Sequence, residues 1–295
     1  MSGPWGQVPP GQVSEVCFRH PDRPTARHCT RCGRPACPEC LEEASVGFHC
    51  VACRAEARGR QRTAVNAVGA PLTAERADPV ATYALIGVNV VVFLLTVAAA
   101  GSVTANYASS LFGDFSLVPV AVAQGEWWRL VGSGFLHYGA LHLGVNMLAL
   151  WILGRDLETT LGRSRFLAVY GVALLGGSAS VLLLENPGTQ TAGASGAVFG
   201  LMGAIAVVLL KLRRSPRPVL TIIGLNVVIS IAVPGISLFA HLGGLVTGAL
   251  AAAAIVHAPQ RNRAALQWGG VAAVLGLVLV VTAVGVLHVR AQLGL

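Results

Sequence analysis

One serine stands where a polar loop meets a long apolar run, within the segment Gly193-Ala194-Ser195-Gly196. Taken alone, a serine at such a boundary more often caps a helix than acts as a nucleophile. To act as a nucleophile, it needs a base that removes the hydroxyl proton, and imidazole does this near neutral pH. The attacked carbonyl oxygen becomes negatively charged and needs hydrogen-bond donors that already point at it. The serine is therefore informative only together with such groups elsewhere in the chain.

Two other apolar runs carry the required groups. His241 lies near the start of one of them and is the predicted base. His142 and Asn146 lie in the other at positions i and i+4, so on a helix both side chains point to a common spot. The backbone N–H of Ser195, unpaired at a helix N-terminus, is a third donor. None of the three apolar runs contains Asp or Glu, so we predict a Ser–His dyad without an acidic third member.

Small residues accompany the serine and the histidine at helical spacing. His241, Gly244 and Gly248 occupy positions i, i+3 and i+7, which share one helical face, and Gly196 and Gly200 follow the serine at i and i+4. Glycines at this spacing let two membrane helices approach closely. We expect the two helices to pack tightly enough for the serine hydroxyl to reach the imidazole.

The composition predicts that these elements are membrane helices. Only 12% of the 295 residues are charged and 54% are hydrophobic, whereas soluble domains carry about 25% charged residues. From residue 80 onward, long apolar runs alternate with short polar stretches, which is typical of transmembrane helices. We predict an all-α polytopic membrane protein with a six-helix core and a seventh, C-terminal helix. The predicted spans are residues 81–100, 138–153, 166–184, 195–212, 219–233, 236–257 and 269–289, with a short charged loop at 154–165.

The loop charges predict the orientation of the spans, because cytoplasmic loops are enriched in Lys and Arg. One side holds Arg155, Arg163, Arg165, Lys211, Arg213, Arg214, Arg217, Arg261 and Arg263, and the other holds only Arg129 and Arg290. We therefore expect a cytoplasmic N-terminus and an extracytoplasmic C-terminus. This orientation places Ser195, His241 and His142 at similar depths below the outer surface. We attribute the net charge of +8 mainly to the basic residues of these loops, and we expect no nucleic acid as a partner.

Four pairs of metal-ligand residues occupy the N-terminal part of the chain, each pair with two residues between its members. The pairs are Cys17 and His20, Cys29 and Cys32, Cys37 and Cys40, and Cys50 and Cys53. Eight ligands suffice for two tetrahedral zinc ions, and a segment this short needs metal to fold. The segment resembles B-box-type or RING-like cross-braced modules, in which the first and third pairs share one ion. Sequential pairing is the alternative, and His28 and His49 are substitute ligands. Disulfides are disfavoured by the odd number of cysteines, the CxxC spacing and the cytosolic placement.

With these residues in view, residues 80–258 resemble the rhomboid family of intramembrane serine proteases. The matching motifs are Trp128-Arg129, His142-x3-Asn146, Gly193-Ala194-Ser195-Gly196 and Ala240-His241-x2-Gly244-x3-Gly248. The resemblance implies that Ser195 is the nucleophile, that His241 is the base, and that His142, Asn146 and the Ser195 N–H bind the oxyanion. It also implies that Phe199 packs against the His241 ring. The supporting residues are Gly193, Gly196, Phe199, Gly244, Gly248, Trp128, Arg129 and His137.

The resemblance implies an endopeptidase that cleaves transmembrane segments of other proteins near their extracytoplasmic end, without a cofactor for catalysis. We expect the protein to lie in the cell membrane, and the composition indicates a bacterial source. A catalytically inactive relative that binds membrane helices and a small transporter are the alternatives; intact Ser195 and His241 disfavour the first. The predicted division is a disordered N-terminus at 1–15, a zinc module at 16–56, a linker at 57–80, the protease core at 81–258 and the seventh helix within 259–295. The zinc module is a candidate binding site for a protein partner.

Overall fold

The computed structural model describes residues 15–60, 66 and 78–294. The chain divides into two compact units, Met1–Thr63 and Ala64–Leu295. The predicted disordered N-terminus and most of the predicted linker lie outside the described residues, so their predictions stay as they are.

The first unit is built around its cysteines. Strand β1 (Val16–Cys17) pairs antiparallel with β2 (His20–Pro24), and β3 (Leu41–Glu43) pairs antiparallel with β4 (Phe48–Cys50). A short 3-10 turn at Pro38–Cys40 precedes β3, and helix α1 (Val51–Arg60) follows β4. Six of the seven cysteines are buried, and Cys32 is the exposed one. The core of this unit therefore consists mainly of sulfur-bearing side chains, with Phe18 and Leu41 packed against them.

The second unit is helical in the residues that the structure describes. Its helices are α2 (Val80–Ala100), α3 (Ser110–Phe115), α4 (Pro119–Ala123), α5 (Arg129–Gly132), α6 (Gly139–Leu161), α7 (Arg163–Leu184), α8 (Ser195–Lys211), α9 (Arg217–Ala232), α10 (Leu238–Val256) and α11 (Arg263–Leu293). The seven long ones correspond one by one to the predicted spans. The protein is a polytopic membrane protein with a long apolar C-terminal helix.

The seven long helices differ in how fully each could cross a bilayer. Among the described residues, α2, α7, α10 and α11 are long and apolar enough on their own. Helix α6 qualifies only together with the segment Arg129–Phe135, from which it is bent by 92°. Helices α8 and α9 have 17 and 16 residues, fewer than the roughly 20 that span a hydrocarbon core. Helix α8 is thus about 25 Å long and is short for a full span.

The predicted charged loop at 154–165 is wrong. Helix α6 continues to Leu161, and only Gly162, with a φ of 85°, separates it from α7. The segment from Arg155 to Leu161 consists of residues that are tolerated in helices, and Gly162 ends the helix with a positive φ that side chains rarely adopt. The charged residues therefore lie on the last turns of a helix.

Arg155 and Glu158, one turn apart near the end of α6, do not form an ion pair with each other in the described structure. Buried Glu158 instead accepts hydrogen bonds from the backbone N–H groups of Ala81 and Thr82, at 2.9 and 2.8 Å. Pro79 precedes α2 and offers no capping side chain, so a carboxylate from α6 caps the N-terminus of α2. The Nε atom of Arg155 lies 3.7 Å from Asp156 Oδ1, and its Cζ atom lies 4.9 Å from the centroid of the Trp151 ring.

Helices α8 and α10 approach each other closely through their glycines. A Cβ added at Gly244 would lie 2.0 Å from the carbonyl oxygen of Gly196, and one at Gly248 would lie 2.4 Å from the Cα of Gly200. No larger residue fits at either position without separating the helices, because protein interiors are already close-packed. Helix α8 is largely buried, and α7 packs against both α8 and α10. The start of α8 is therefore fixed relative to α10.

Candidate active site and metal centres

The Ser195 hydroxyl and the His241 imidazole form a hydrogen bond. The distance from Ser195 Oγ to His241 Nε2 is 2.8 Å. Ser195 is the first residue of α8, and His241 lies in the first turn of α10. The histidine is buried and the serine is half-buried, so a base without much solvent contact faces a hydroxyl group that remains accessible. This is the arrangement that an activated serine requires.

Two further side chains fix the His241 ring. The Phe199 ring stacks on it, with ring centroids 4.1 Å apart and planes inclined by 12°. Ser230 Oγ, on α9, lies 2.7 Å from His241 Nδ1. The ring therefore has a partner on both nitrogens and on one face.

His142 lies beside the same serine. The backbone N–H of Tyr138 donates to His142 Nδ1 at 3.3 Å, so in the neutral ring the proton is on Nε2. A Cβ added at Gly193 would lie 3.1 Å from His142 Nε2 and 3.5 Å from Ser195 Oγ. The N–H donor and the hydroxyl group thus border one small space, which only glycine leaves free. Gly193 also has a φ of 139°, a conformation that side chains rarely adopt.

Asn146 lies one turn after His142 and is buried. Its Nδ2 donates to the backbone carbonyl of His142 at 2.9 Å. A side-chain amide has two N–H donors, so this bond engages one of them. The structure therefore places Asn146 next to His142 but turned partly toward its own helix.

His137 is fully buried and packs edge-on against His142, with ring centroids 5.2 Å apart. Its Nε2 accepts a hydrogen bond of 3.4 Å from the backbone N–H of Ala194. Ala194 immediately precedes the serine, so His137 contacts the loop that leads into α8.

Trp128 and Arg129 hold the long loop between α2 and α6. Arg129 donates to the carbonyl groups of Gly113 and Ser116, at 2.5 and 2.7 Å, and is buried. The Trp128 indole N–H donates to the Asp114 carbonyl at 3.0 Å. These side chains satisfy carbonyl groups around the C-terminus of α3 and do not contact the serine, so they act on the shape of the loop.

The sequence did not point to Ser230, Tyr138 or Glu158. A serine in an apolar run gives no signal, because most such side chains bond the carbonyl group one turn earlier. Ser230 does this as well, donating to the Asn226 carbonyl at 2.7 Å. The Tyr138 contact uses the backbone N–H and is independent of side-chain type. The role of Glu158 as a cap gave no local signal, because the contact joins residues that are 76 and 77 positions apart.

The cysteine pairs form two clusters of four ligand atoms. Cys17, His20, Cys37 and Cys40 form one cluster, and Cys29, Cys32, Cys50 and Cys53 form the other. In each cluster the ligand atoms lie within 4.8 Å of one another. This grouping is cross-braced rather than sequential. His28 and His49 belong to neither cluster, and His28 contacts the Glu15 carboxylate.

The ligand separations fit a tetrahedral zinc ion. With Zn–S bonds of about 2.3 Å and Zn–N bonds of about 2.0 Å, two sulfurs lie roughly 3.8 Å apart and sulfur and nitrogen roughly 3.5 Å apart. Cys32 and Cys50 Sγ are 3.8 Å apart. His20 Nδ1 lies 3.4 Å from the Sγ atoms of Cys37 and Cys40. All seven cysteines are free thiols, so no disulfide competes with this use.

Thiols in these clusters have unequal pKa values. Burial among neighbouring cysteines raises the pKa of Cys40 to about 11 and that of Cys53 to about 12. Burial also acts to raise the pKa of Cys17 and Cys29, but backbone N–H groups that donate to the sulfur outweigh it and lower both values to about 6. Each cluster thus contains a thiol that is a thiolate, the form that binds metal, near neutral pH.

Comparison with known proteins identifies the helical unit. A family model described as the Rhomboid domain matches residues 124–258. Rhomboid protease GluP of Bacillus subtilis is 37% identical over 187 residues, covering 61% of this chain and 36% of GluP. Putative rhomboid protease YdcA of the same organism is 32% identical over 148 residues, covering 48% of this chain and 74% of YdcA. Rhomboid protease AarA of Providencia stuartii is 26% identical over 213 residues, 62% of this chain and 75% of AarA. The chain thus spans only about a third of the length of GluP.

Proposed function

The chain belongs to the rhomboid family, and on that premise we propose that it is an intramembrane serine endopeptidase with a Ser195–His241 dyad. The observation that carries the proposal is the hydrogen bond of 2.8 Å between Ser195 Oγ and His241 Nε2. The named relatives are rhomboid proteases. An inactive helix-binding relative would have no need for this pair.

In the proposed reaction, Ser195 Oγ attacks the carbonyl carbon of a peptide bond while its proton passes to His241 Nε2. The carbonyl oxygen becomes an oxyanion and accepts hydrogen bonds from His142 Nε2–H, from the Asn146 amide and from the Ser195 backbone N–H. His241 then gives the proton to the leaving amine, and the C–N bond breaks. Water hydrolyses the resulting acyl-serine, again with His241 as base, which restores the hydroxyl group.

Asn146 must turn for this role, because in the structure one of its N–H groups donates to the carbonyl group of its own helix. His142 needs no such change, since Tyr138 already holds it with the Nε2 proton toward the space beside Gly193. We therefore propose His142 and the Ser195 N–H as the preformed donors and Asn146 as the donor that adjusts when substrate binds.

The proposed substrates are transmembrane segments of other membrane proteins, cleaved near their extracytoplasmic end. The orientation rests on the clustering of Arg and Lys in alternate loops. Helix α8 is short and begins at the serine, which supports a site below one membrane surface. A substrate helix must unwind locally to expose a carbonyl group, because its internal hydrogen bonds otherwise occupy that group.

For the first unit, we propose two structural zinc ions held by the two cross-braced clusters, with no part in catalysis. The support is the fit of the ligand separations and the shortage of other core residues. Metal binding would supply the folding energy of this unit. Metal analysis of the purified full chain should find about two zinc ions per molecule; a fully folded, metal-free unit contradicts the proposal.

The test of the proteolytic function is cleavage of a helical membrane protein by the purified chain in lipid vesicles. The wild type should release a fragment cut within the transmembrane segment. Ser195→Ala and His241→Ala should each reduce the rate at least about a thousandfold. Ser215→Ala, an exposed loop serine, is the matched control and should cleave like the wild type. Cleavage by Ser195→Ala at the wild-type rate contradicts the proposal.

A further inference from the structure

The second nitrogen of His241 faces a hydroxyl group rather than a carboxylate. Ser230 Oγ lies 2.7 Å from His241 Nδ1 and 2.7 Å from the Asn226 carbonyl oxygen. A hydroxyl group has one proton to donate. When the hydroxyl group donates that proton to the Asn226 carbonyl oxygen, Ser230 Oγ accepts a hydrogen bond from His241 Nδ1–H. The ring is thereby held with its proton on Nδ1 and with Nε2 free.

This tautomer is the one that a base at Ser195 requires. A neutral imidazole with its proton on Nε2 would meet the serine hydroxyl group as a donor and would be unable to take its proton. Ser230 accepts from the same Nδ1–H when the ring becomes charged, so it also stabilises the imidazolium form. We propose that Ser230 is a positioning residue that selects the reactive tautomer of His241. This inference rests on the proposed serine protease function.

The setting of Ser230 supports this role. Helix α9 has 16 residues, of which only Val219 and Ser230 are buried. An apolar residue would suit a lipid-facing helix better than a serine whose hydroxyl group has no further use. Phe199 already restrains the plane of the ring, but stacking does not distinguish one nitrogen from the other. Selection of the tautomer is the property that the hydroxyl group adds.

Ser230 also links the active site to helix α9. Ser230 is the contact of α9 with His241, and the rest of the helix is mostly exposed. Movement of α9 away from α10 would remove the acceptor from Nδ1 and free the ring to change its tautomer.

Substitutions at position 230 can test the effect of the hydroxyl group independently of the effect of side-chain volume. Thr and Val have nearly the same shape, and only Thr keeps the hydroxyl group. Ser230→Thr should retain the wild-type kcat within about threefold, while Ser230→Val and Ser230→Ala should lower kcat at least about tenfold with KM unchanged, because Nδ1–H loses its acceptor. Thr221→Ala is the control, since Thr221 lies exposed on the same helix and also bonds the carbonyl group one turn earlier, at 3.0 Å. Rates are expressed per folded molecule.

A second measurement does not depend on proteolysis. Nitrogen-15 NMR of histidine-labelled protein distinguishes protonated from unprotonated ring nitrogens, and His241→Gln assigns the signals. In the wild type, Nδ1 of His241 should carry the proton; in Ser230→Val the two tautomers should mix. An unchanged tautomer, or equal kcat in Ser230→Thr and Ser230→Val, would overturn the role of Ser230. A wild type that cleaves nothing while showing the expected tautomer would instead count against the proposed function.

Discussion

Replacing Gly244 with alanine should separate the two halves of the dyad. The new Cβ would lie 2.0 Å from the Gly196 carbonyl oxygen, whereas real Cβ atoms essentially never come within 3.0 Å of such an atom. Helices α8 and α10 must therefore move apart by about 1 Å, since close-packed backbones cannot absorb the overlap. His241 is one turn before Gly244 and moves with it. The Ser195–His241 distance of 2.8 Å would grow to roughly 3.8 Å, which is too long for a hydrogen bond.

The cleavage rate should fall because Ser195 loses contact with its general base, His241. General-base catalysis contributes about 10²- to 10⁴-fold, so Gly244→Ala should lower the cleavage rate by at least about a hundredfold. The overlap should also lower the free energy of unfolding by about 1–3 kcal/mol. Cleavage of a helical substrate in vesicles measures the first effect, and thermal unfolding in detergent measures the second.

A matched control distinguishes the effect of overlap between helices from the effect of replacing a helical glycine. Gly276 lies in α11, where an added Cβ meets nothing within 4 Å. Gly276→Ala should leave cleavage unchanged and should stabilise the helix by roughly 0.5–1 kcal/mol, because glycine is a poor helix former. If Gly244→Ala cleaves within threefold of the wild type, then close approach of α8 and α10 does not set the geometry of the dyad, and the reasoning fails.

Three other predictions concern separate parts of the molecule. Glu158→Gln should lower the free energy of unfolding by about 1–3 kcal/mol, because a neutral amide is a poorer cap for the α2 N-terminus; Asp156→Asn, on an exposed side chain, should change it by less than about 0.5 kcal/mol. Gly193→Ala should abolish cleavage, since its Cβ would lie 2.8 Å from His142 Cε1; folding comparable to the wild type with undiminished cleavage would contradict this. Removing metal with a strong chelator should unfold the cysteine-rich unit, seen by proteolysis near Cys53, while the helical unit keeps cleaving. Resistance of the chelated unit to proteolysis would contradict a structural metal.

Much of the helical architecture could be predicted from the sequence, because membrane helices are recognisable as long apolar runs. The seven long helices occupy the predicted places. The error at 154–165 arose because charge was taken to mean loop, whereas α6 extends past its apolar part and ends only at Gly162. The carboxylate of Glu158 on those last turns meets a helix end far away in the chain, a contact that no local pattern encodes.

The candidate site was predictable to the level of residue types and spacing. The sequence indicated the close approach of α8 and α10 that places Ser195 beside His241. The signal was the helical spacing of Gly196 and Gly200 on α8 and of Gly244 and Gly248 on α10. The protonation state of each ring was not predictable, because it depends on a backbone N–H at Tyr138 and on a hydroxyl group at Ser230. Such contacts require the three-dimensional arrangement of α6, α9 and α10.

The most direct test of the account is to identify the residue that a fluorophosphonate probe modifies. This probe reacts covalently with serines that a base has activated and needs no transmembrane substrate. Mass spectrometry of the digested wild type should find the adduct on Ser195 alone, and His241→Ala should show little or none, because the base is 2.8 Å away in the wild type. An adduct on another residue, or undiminished labelling of Ser195 in His241→Ala, would contradict the central claim that His241 activates Ser195.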